Sequence, residues 1–408
     1  MKVLLIEPGY GYERPDRAWM PVGKMQIASY LRDKGGHEVH IIDDALYDHT
    51  DDDILRLVAE LNPDFTCIGG MSIQHSRTMH LAEVLRTMPI VQRGLLVGGG
   101  VHFTVSPRDG EDLFDLVIKG EGERAILSLC HKGPLDFGTR LKAEDIPTPA
   151  YDLVDVKEYG DCLITGEKAP MIMTGRGCPY DCYFCGSPKI WERSVRLRPI
   201  IDVMDELTYL NYTYGYEAFR IMDDTFALSL DRVKEFRDAA KELPFKLRYT
   251  CLTHVNTITK EMCEVLKDSG CEIVALGIES ADDRVLEMIN KGTNSEDAMI
   301  ACEMVRESGM GLECLFMIGN IGETVESVES SISFAKTVNP QQAYPRCINW
   351  FQFATPFPGS RFYESYSDHG ELLTEDYNRL THQEPIFVPN GMTAQQMVGL
   401  RNRALGGA

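Results

Sequence analysis

The chain has 408 residues, more than one hydrophobic core normally supports, so two domains and a small appendix are expected. Its 44% hydrophobic and 25% charged residues are ordinary for a globular protein, and no apolar run is long enough for a membrane-spanning helix. A net charge of −21 without a compensating basic stripe argues against a nucleic-acid binder.

Met1-Lys2-Val3-Leu4-Leu5-Ile6 reads as a strand; Glu7 and Pro8 end the apolar run too soon for a signal peptide, so a cytoplasmic location is expected. The twelve cysteines are scattered, unlike a secreted disulfide framework. Acidic runs such as Asp43-Asp44 and Asp51-Asp52-Asp53 read as solvated faces.

Over residues 1–140, strand candidates Val3–Ile6, Val39–Ile42, Phe65–Gly69, Leu95–Gly98 and Leu116–Lys119 alternate with helical patterns. The helices are expected at Met20–Asp33, Asp52–Leu61, Ser76–Met88 and Glu123–Cys130. That alternation predicts an α/β, doubly wound (Rossmann-like) parallel sheet, which binds its ligand at the carboxyl ends of the strands. Glycine-rich loops fall there: Pro8-Gly9-Tyr10-Gly11, Gly69-Gly70, Gly98-Gly99-Gly100 and Gly120-Glu121-Gly122-Glu123. Glycine permits close approach of backbone to a large flat ligand.

With Met20-Pro21-Val22-Gly23, Lys34-Gly35-Gly36-His37-Glu38-Val39 and Gly98-Gly99-Gly100-Val101-His102, this region resembles the cobalamin-binding domain found before many radical S-adenosylmethionine enzymes. The resemblance implies contacts to cobalamin from Gly9, Tyr10, Gly98, Gly99, Gly100, His102, Gly120, Glu121 and Gly122. It places Ser72, Ile73, Gln74 and His75 on the lower side of the corrin. The Asp-x-His-x-x-Gly motif of cobalamin mutases is absent, so cobalamin with its own base detached is implied. His75 can also be read as a solvent-facing helix-start residue, and His102 as a plain loop residue. Cys67, Cys130 and Cys162 are spaced too widely for the second cluster of a methylthiotransferase.

Ile146-Pro147-Thr148-Pro149 marks an extended connector, assigned to residues 141–165. Next comes Gly177-Cys178-Pro179-Tyr180-Asp181-Cys182-Tyr183-Phe184-Cys185-Gly186, with three cysteines spaced CxxxCxxC. Soft thiolates so close together favour an iron–sulfur cluster or zinc. Zinc wants a fourth ligand, and no Cys or His lies close enough in sequence to supply it obviously.

With Phe184 before the third cysteine, the loop resembles the signature of the radical S-adenosylmethionine enzymes. In that family three cysteines hold a [4Fe-4S] cluster whose open iron is chelated by S-adenosylmethionine. The resemblance makes Cys178, Cys182 and Cys185 the metal ligands and catalytic centre, with Phe184 beside the cofactor.

Residues 166–365 continue as alternating strands and helices: strands at Met171–Thr174, Ala218–Met222, Lys246–Cys251, Ile273–Leu276, Leu312–Met317 and Ile348–Phe353. They match the partial (β/α)6 barrel of the family, with chemistry at the carboxyl strand ends. There the resemblance implies S-adenosylmethionine contacts from Asp223 and Asp224, from Glu279 and Ser280, and from Gly319. One aspartate would hold the methionyl ammonium, a charge-assisted contact, while the other can be a helix entry. Lys291 follows the same pattern but also reads as a solvated lysine. Ile321 replaces a common proline, and His254 stands where relatives commonly carry arginine.

Residues 366–408 form a small substrate-side extension. The joined resemblance implies a cobalamin-dependent radical C-methyltransferase: a 5′-deoxyadenosyl radical opens an unactivated sp3 carbon, and methylcobalamin delivers the methyl group. An external one-electron donor, anaerobic handling and no nucleic-acid or membrane partner are expected. The compact build resembles enzymes that methylate a protein side chain, the glutamine of methyl-coenzyme M reductase being the substrate expected first. A natural-product or lipid-precursor methylase, or an isomerase or cyclase without methyl transfer, are the other readings.

Overall fold

The computed structural model describes residues 1–10, 19–159, 167–339 and 347–406. These residues form two compact units: one of residues 1–161 with Asp376–Arg379, and one of residues 162–375 with Leu380–Ala408. Among the described residues no helix is long and apolar enough to cross a membrane.

The first unit is a five-stranded parallel sheet in the order β2-β1-β3-β4-β5, with β1 Lys2–Glu7, β2 Glu38–Asp43, β3 Phe65–Gly69, β4 Leu95–Gly99 and β5 Leu116–Val117. Successive side chains of a strand point to opposite faces, and in β1 both faces are apolar. Val3 and Leu5 enter one core with Ala28, Leu31, Val97 and Ala125; Leu4 and Ile6 enter the other with Ile54, Val58, Leu81 and Phe103. Helices on both sides complete the doubly wound fold. The helix Asp51–Leu61 starts in a Thr50/Asp53 capping box and buries Ile54 and Val58, a one-turn apolar pair. The order of strands reverses between β1 and β3, which makes their carboxyl ends the ligand crevice of such a sheet.

The expected elements of this unit are present with shifted ends. The first helix runs Val22–Gly35, starting after Pro21 and ending on Gly36 in the left-handed region at φ 61°. The strand expected at Leu116–Lys119 stops at Val117, although Ile118 still bonds its amide to Gly98.

The second unit holds a six-stranded, wholly parallel sheet. Its strands are β6 Met171–Ile172, β9 Ala218–Ile221, β10 Arg248–His254, β11 Cys271–Glu279, β12 Gly311–Ile318 and β13 Cys347–Phe353, neighbours in chain order. A small antiparallel pair, β7 Gly175–Arg176 and β8 Arg196–Leu197, lies between the first two in sequence. Strand follows helix throughout, giving the expected (β/α)6 arrangement; Thr259, Asn294 and Thr324 cap three of the helices through their side-chain oxygens. β6 is shorter than Met171–Thr174, because the amides of Thr174 and Gly175 turn to the Asp223 carboxylate instead of a strand partner.

Candidate functional site

The cysteine loop of the second unit leaves β7 and returns along β8. Gly177 turns it at φ 98°, and a Cβ there would lie 2.0 Å from the Ser194 carbonyl, so no other residue fits. Tyr183 ties the loop to the helix side, donating its amide to Ile289 and accepting from the Phe362 amide. Asn290 and Arg361 both donate to the Asp181 carbonyl. The loop is therefore fixed from three directions. Cys178 Sγ lies 3.4 Å from Thr225 Oγ1, at the carboxyl end of β9, and Cys185 Sγ accepts from the Ser187 amide at 3.4 Å. Burial raises the pKa of Cys182, and that of Cys185 to about 12, so as free thiols both keep their protons. A metal would displace those protons. Three sulfurs in a loop pinned by these bonds, one of them buried and one already accepting an amide, fit an iron–sulfur cluster.

Around the loop stand the other expected residues. Asp223 is buried and accepts from the Thr174 amide, the Thr174 hydroxyl and the Gly175 amide; burial raises its pKa to about 6. Its carboxylate is thus engaged by the backbone. Asp224 is exposed and accepts from the Gly177 amide at 3.2 Å and from the Trp191 side chain, against three bonds to the buried Asp223, which leaves it the freer of the two for a cation. Glu279 ends β11 in the left-handed region at φ 66°, a strained conformation for a side-chain-bearing residue, and pairs with Lys291 at 2.9 Å. Lys291 is only 5% exposed, which excludes the solvated reading; its Nζ lies 5.9 Å from the Phe184 ring centroid. Ser280 is fully buried and accepts from the Asp282 amide. His254 stacks on Tyr180 with centroids 3.8 Å apart, and burial pushes its pKa down to about 3. It is neutral and cannot replace the charge of an arginine.

After β12, Gly319 at φ 96° and Asn320 donate their amides to Glu323, a fully buried carboxyl whose pKa burial raises to about 8. Ile321 packs with Leu286, Ala354 and Phe362, so apolar contact and the Glu323 bonds hold this turn in place of proline. Both polar side-chain atoms of Asn320 are buried without a partner among the described residues. A buried amide left so is costly, and a polar ligand at this strand end would satisfy it.

In the first unit the crevice is built mainly of backbone. A Cβ on Gly69 would fall 1.9 Å from the Gly99 carbonyl, and one on Gly100, at φ 88°, would fall 2.9 Å from the Gly70 amide. These glycines let β3 and β4 close on each other. Gly98 and Gly122 are likewise filled by Phe114 and Ile27. By contrast, a Cβ on Gly99 or Gly120 would meet nothing closer than 4.0 and 3.8 Å. That open edge of backbone fits a broad, flat ligand such as a corrin. Gly9 donates to Asp44, and Tyr10 and Ile73 are half-buried beside the crevice loops.

Other expected contacts turn inward. Gln74 is 1% exposed and donates to Glu7 and the Pro8 carbonyl, while Glu121 accepts from the Leu141 amide. Lys24, not anticipated from sequence, pairs with Glu7 and donates to the Gly69 carbonyl at 2.6 Å, joining the ends of β1 and β3. His102 is buried, with Nδ1 3.1 Å from Ser72 Oγ and Nε2 3.1 Å from Asp109. Burial and the neighbouring His75 bring its pKa down to about 4. His75 does not face solvent: it is half-buried, with its ring 4.5 Å from His102 and 4.9 Å from Tyr377. Asp109 and Tyr377 were also missed, and no local pattern joins them, since Tyr377 is 268 residues from Asp109.

Known proteins resemble both regions. A model described as the B12 binding domain matches residues 15–129, and one described as the Radical SAM superfamily matches residues 172–335. An uncharacterized methyltransferase of Pyrococcus horikoshii is 29% identical, covering 94% of this chain and 86% of that protein. The anaerobic magnesium-protoporphyrin IX monomethyl ester cyclase of Rubrivivax gelatinosus is 25% identical over 98% of this chain and 75% of its own length. The cytidylyl-2-hydroxyethylphosphonate methyltransferase of Streptomyces wedmorensis is 26% identical, over 96% and 86%. Among solved structures, OxsB with aqua-cobalamin and S-adenosylmethionine bound superposes with a TM-score of 0.77 at 15% identity, covering 99% of this chain and 66% of that one. That last likeness is one of fold.

Proposed function

Starting from a chain that belongs to the cobalamin-dependent radical S-adenosylmethionine methyltransferases, we propose that it C-methylates an unactivated sp3 carbon of a small molecule, a natural product or lipid precursor. The observation that carries this reading is the pairing of two regions in one chain: a fixed tri-cysteine loop, and a sheet whose crevice is open backbone at Gly99 and Gly120. When bound, the [4Fe-4S] cluster, S-adenosylmethionine and cobalamin supply the one-electron cleavage and the methyl carrier.

The chain's own residues supply position and dryness. Cys178, Cys182 and Cys185 hold the iron, with Thr225 and the Ser187 amide fixing two of the sulfurs. Asp224 takes the methionyl ammonium, since the Asp223 carboxylate is engaged by Thr174 and Gly175. Asn320, with both side-chain polar atoms unmet, would offer a donor and an acceptor to a bound cofactor, and the Glu279–Lys291 pair fixes the end of β11. In the first unit Gly9, Tyr10, Gly99 and Gly120 receive the corrin.

A protein side chain, the glutamine of methyl-coenzyme M reductase, was the substrate expected first. It draws no support from the relatives, whose names specify a nucleotide-linked phosphonate and a porphyrin ester. The cyclase among them favours one second reading, a cobalamin-dependent ring closure without methyl transfer.

Anaerobically reconstituted protein given methyl-labelled S-adenosylmethionine, a reductant and a panel of small-molecule acceptors tests both. C-methylation yields labelled product with S-adenosylhomocysteine and 5′-deoxyadenosine together; 5′-deoxyadenosine without S-adenosylhomocysteine supports the cyclase. Full activity without any corrinoid sinks both.

A further inference from the structure

Three side chains of the first unit converge at a place the proposed reaction does not use. We propose that His75, His102 and Asp109 bind a divalent transition-metal ion of the zinc class, distinct from the corrin cobalt and from the iron of the cysteine loop. One ligand atom from each of the three lies within 4.8 Å of the others, and His102 Nε2 is 3.1 Å from Asp109 Oδ2. Ligands sharing a tetrahedral zinc lie about 3.3–3.5 Å apart, given bond lengths of about 2.0–2.2 Å. Small side-chain rotations close the difference.

The chemistry of the set agrees. Imidazole nitrogens with a carboxylate are the donors of a zinc site that keeps a fourth position open. His102 already has the outer contact such ligands need: Nδ1 lies 3.1 Å from Ser72 Oγ, which fixes the ring and leaves Nε2 toward the carboxylate. The Tyr377 hydroxyl donates to Asp109 at 3.3 Å. An independent observation points the same way: His75 Nε2 is buried and has no hydrogen-bond partner among the described residues. An unmet buried nitrogen is unfavourable, and an ion would meet it.

The convergence of three donors also decides which metal. A corrin ring fills the equatorial positions of its cobalt and leaves the protein one axial place. A site with three protein ligands is built for a bare ion, so His75 and His102 are reassigned from direct corrin contact. The inference does not depend on the methyltransferase reading, because it needs only these residues.

The full-length chain with Cys178, Cys182 and Cys185 all changed to alanine is the material for the test, since the loop thiols would otherwise take zinc. After exhaustive buffer exchange it should retain one zinc per chain. Cobalt(II) in place of zinc should give the visible bands of a four-coordinate nitrogen–oxygen site. Titration against a competing chelator should show zinc affinity at least tenfold weaker in Asp109→Asn and His102→Gln. Chains lacking zinc and showing no cobalt bands overturn the proposal, even if the substituted variants fail to fold. So does equal affinity in Asp109→Asn and the parent. In protein loaded with cob(II)alamin, a nitrogen splitting in the electron paramagnetic resonance spectrum that disappears in His75→Gln would give that imidazole to cobalt and also overturn it. Corrin and iron contents are measured on the same samples, so a failure here stays separate from a failure of the proposed reaction.

Discussion

At the carboxyl ends of β3 and β4 the first unit offers little but main chain: Gly69 and Gly100 press one strand end against the other, and Gly99 and Gly120 leave open edge. At the same ends of its own sheet the second unit offers side chains already committed to one another. Asp223 locks Thr174 and Gly175, Lys291 pairs with Glu279, and Glu323 gathers the Gly319 and Asn320 amides. A flat ligand that brings its own reactive metal needs room and shape, and glycine supplies them. A cluster assembled from protein sulfurs needs its ligands held at fixed places, and buried polar networks supply that.

If this contrast holds, substitutions in the two units should fail differently. The largest effect belongs to Cys178, Cys182 and Cys185: alanine at any one should reduce product formation to background and remove the iron–sulfur absorbance, while corrin uptake persists. Next is Lys291→Met, which leaves Glu279 buried without its cation. That should cost about 3–5 kcal/mol in denaturant unfolding, with much of the loss recovered in the Lys291→Met/Glu279→Gln double variant.

Gly100→Ala tests the backbone side. A Cβ at φ 88° beside the Gly70 amide should cost about 1–3 kcal/mol and reduce corrin content, with iron content unchanged. Corrin retained at the parental level would break the comparison. The last test concerns pH. The folded pKa of Glu323 is raised to about 8 from an ordinary 4.5, so the native state holds its proton where the unfolded chain has lost it. Its contribution is complete below pH 4.5 and falls as pH rises, by about 1.4 kcal/mol per pH unit until the folded value is passed. Unfolding of Glu323→Gln should lack that slope between pH 5 and 8.

Both sheets were legible because their strands are short apolar runs bounded by glycine, proline and acidic residues, and the cysteine loop because its ligands lie within eight positions of one another. Side-chain partnerships across long intervals were not. Nothing near Lys24 announces Glu7 and Gly69, and nothing near His75 announces Tyr377. The sense of the glycines was also only half readable. A run such as Gly98-Gly99-Gly100 looks uniform in sequence, yet Gly98 and Gly100 are occupied by neighbouring protein atoms while Gly99 is open. The split between Asp223 and Asp224 has the same cause, since burial and amide bonding depend on where Thr174 arrives from β6.

The segment Asp376–Arg379 belongs to the compact unit formed by the amino-terminal residues, and Tyr377 packs there on His75 and His102. On a ribosome adding about 5–20 residues per second, it emerges on the order of ten to forty seconds after the rest of that unit. The nascent amino-terminal sheet therefore spends this interval with two histidine rings uncapped, and a transcript truncated ahead of Asp376 yields a unit short of its last tile.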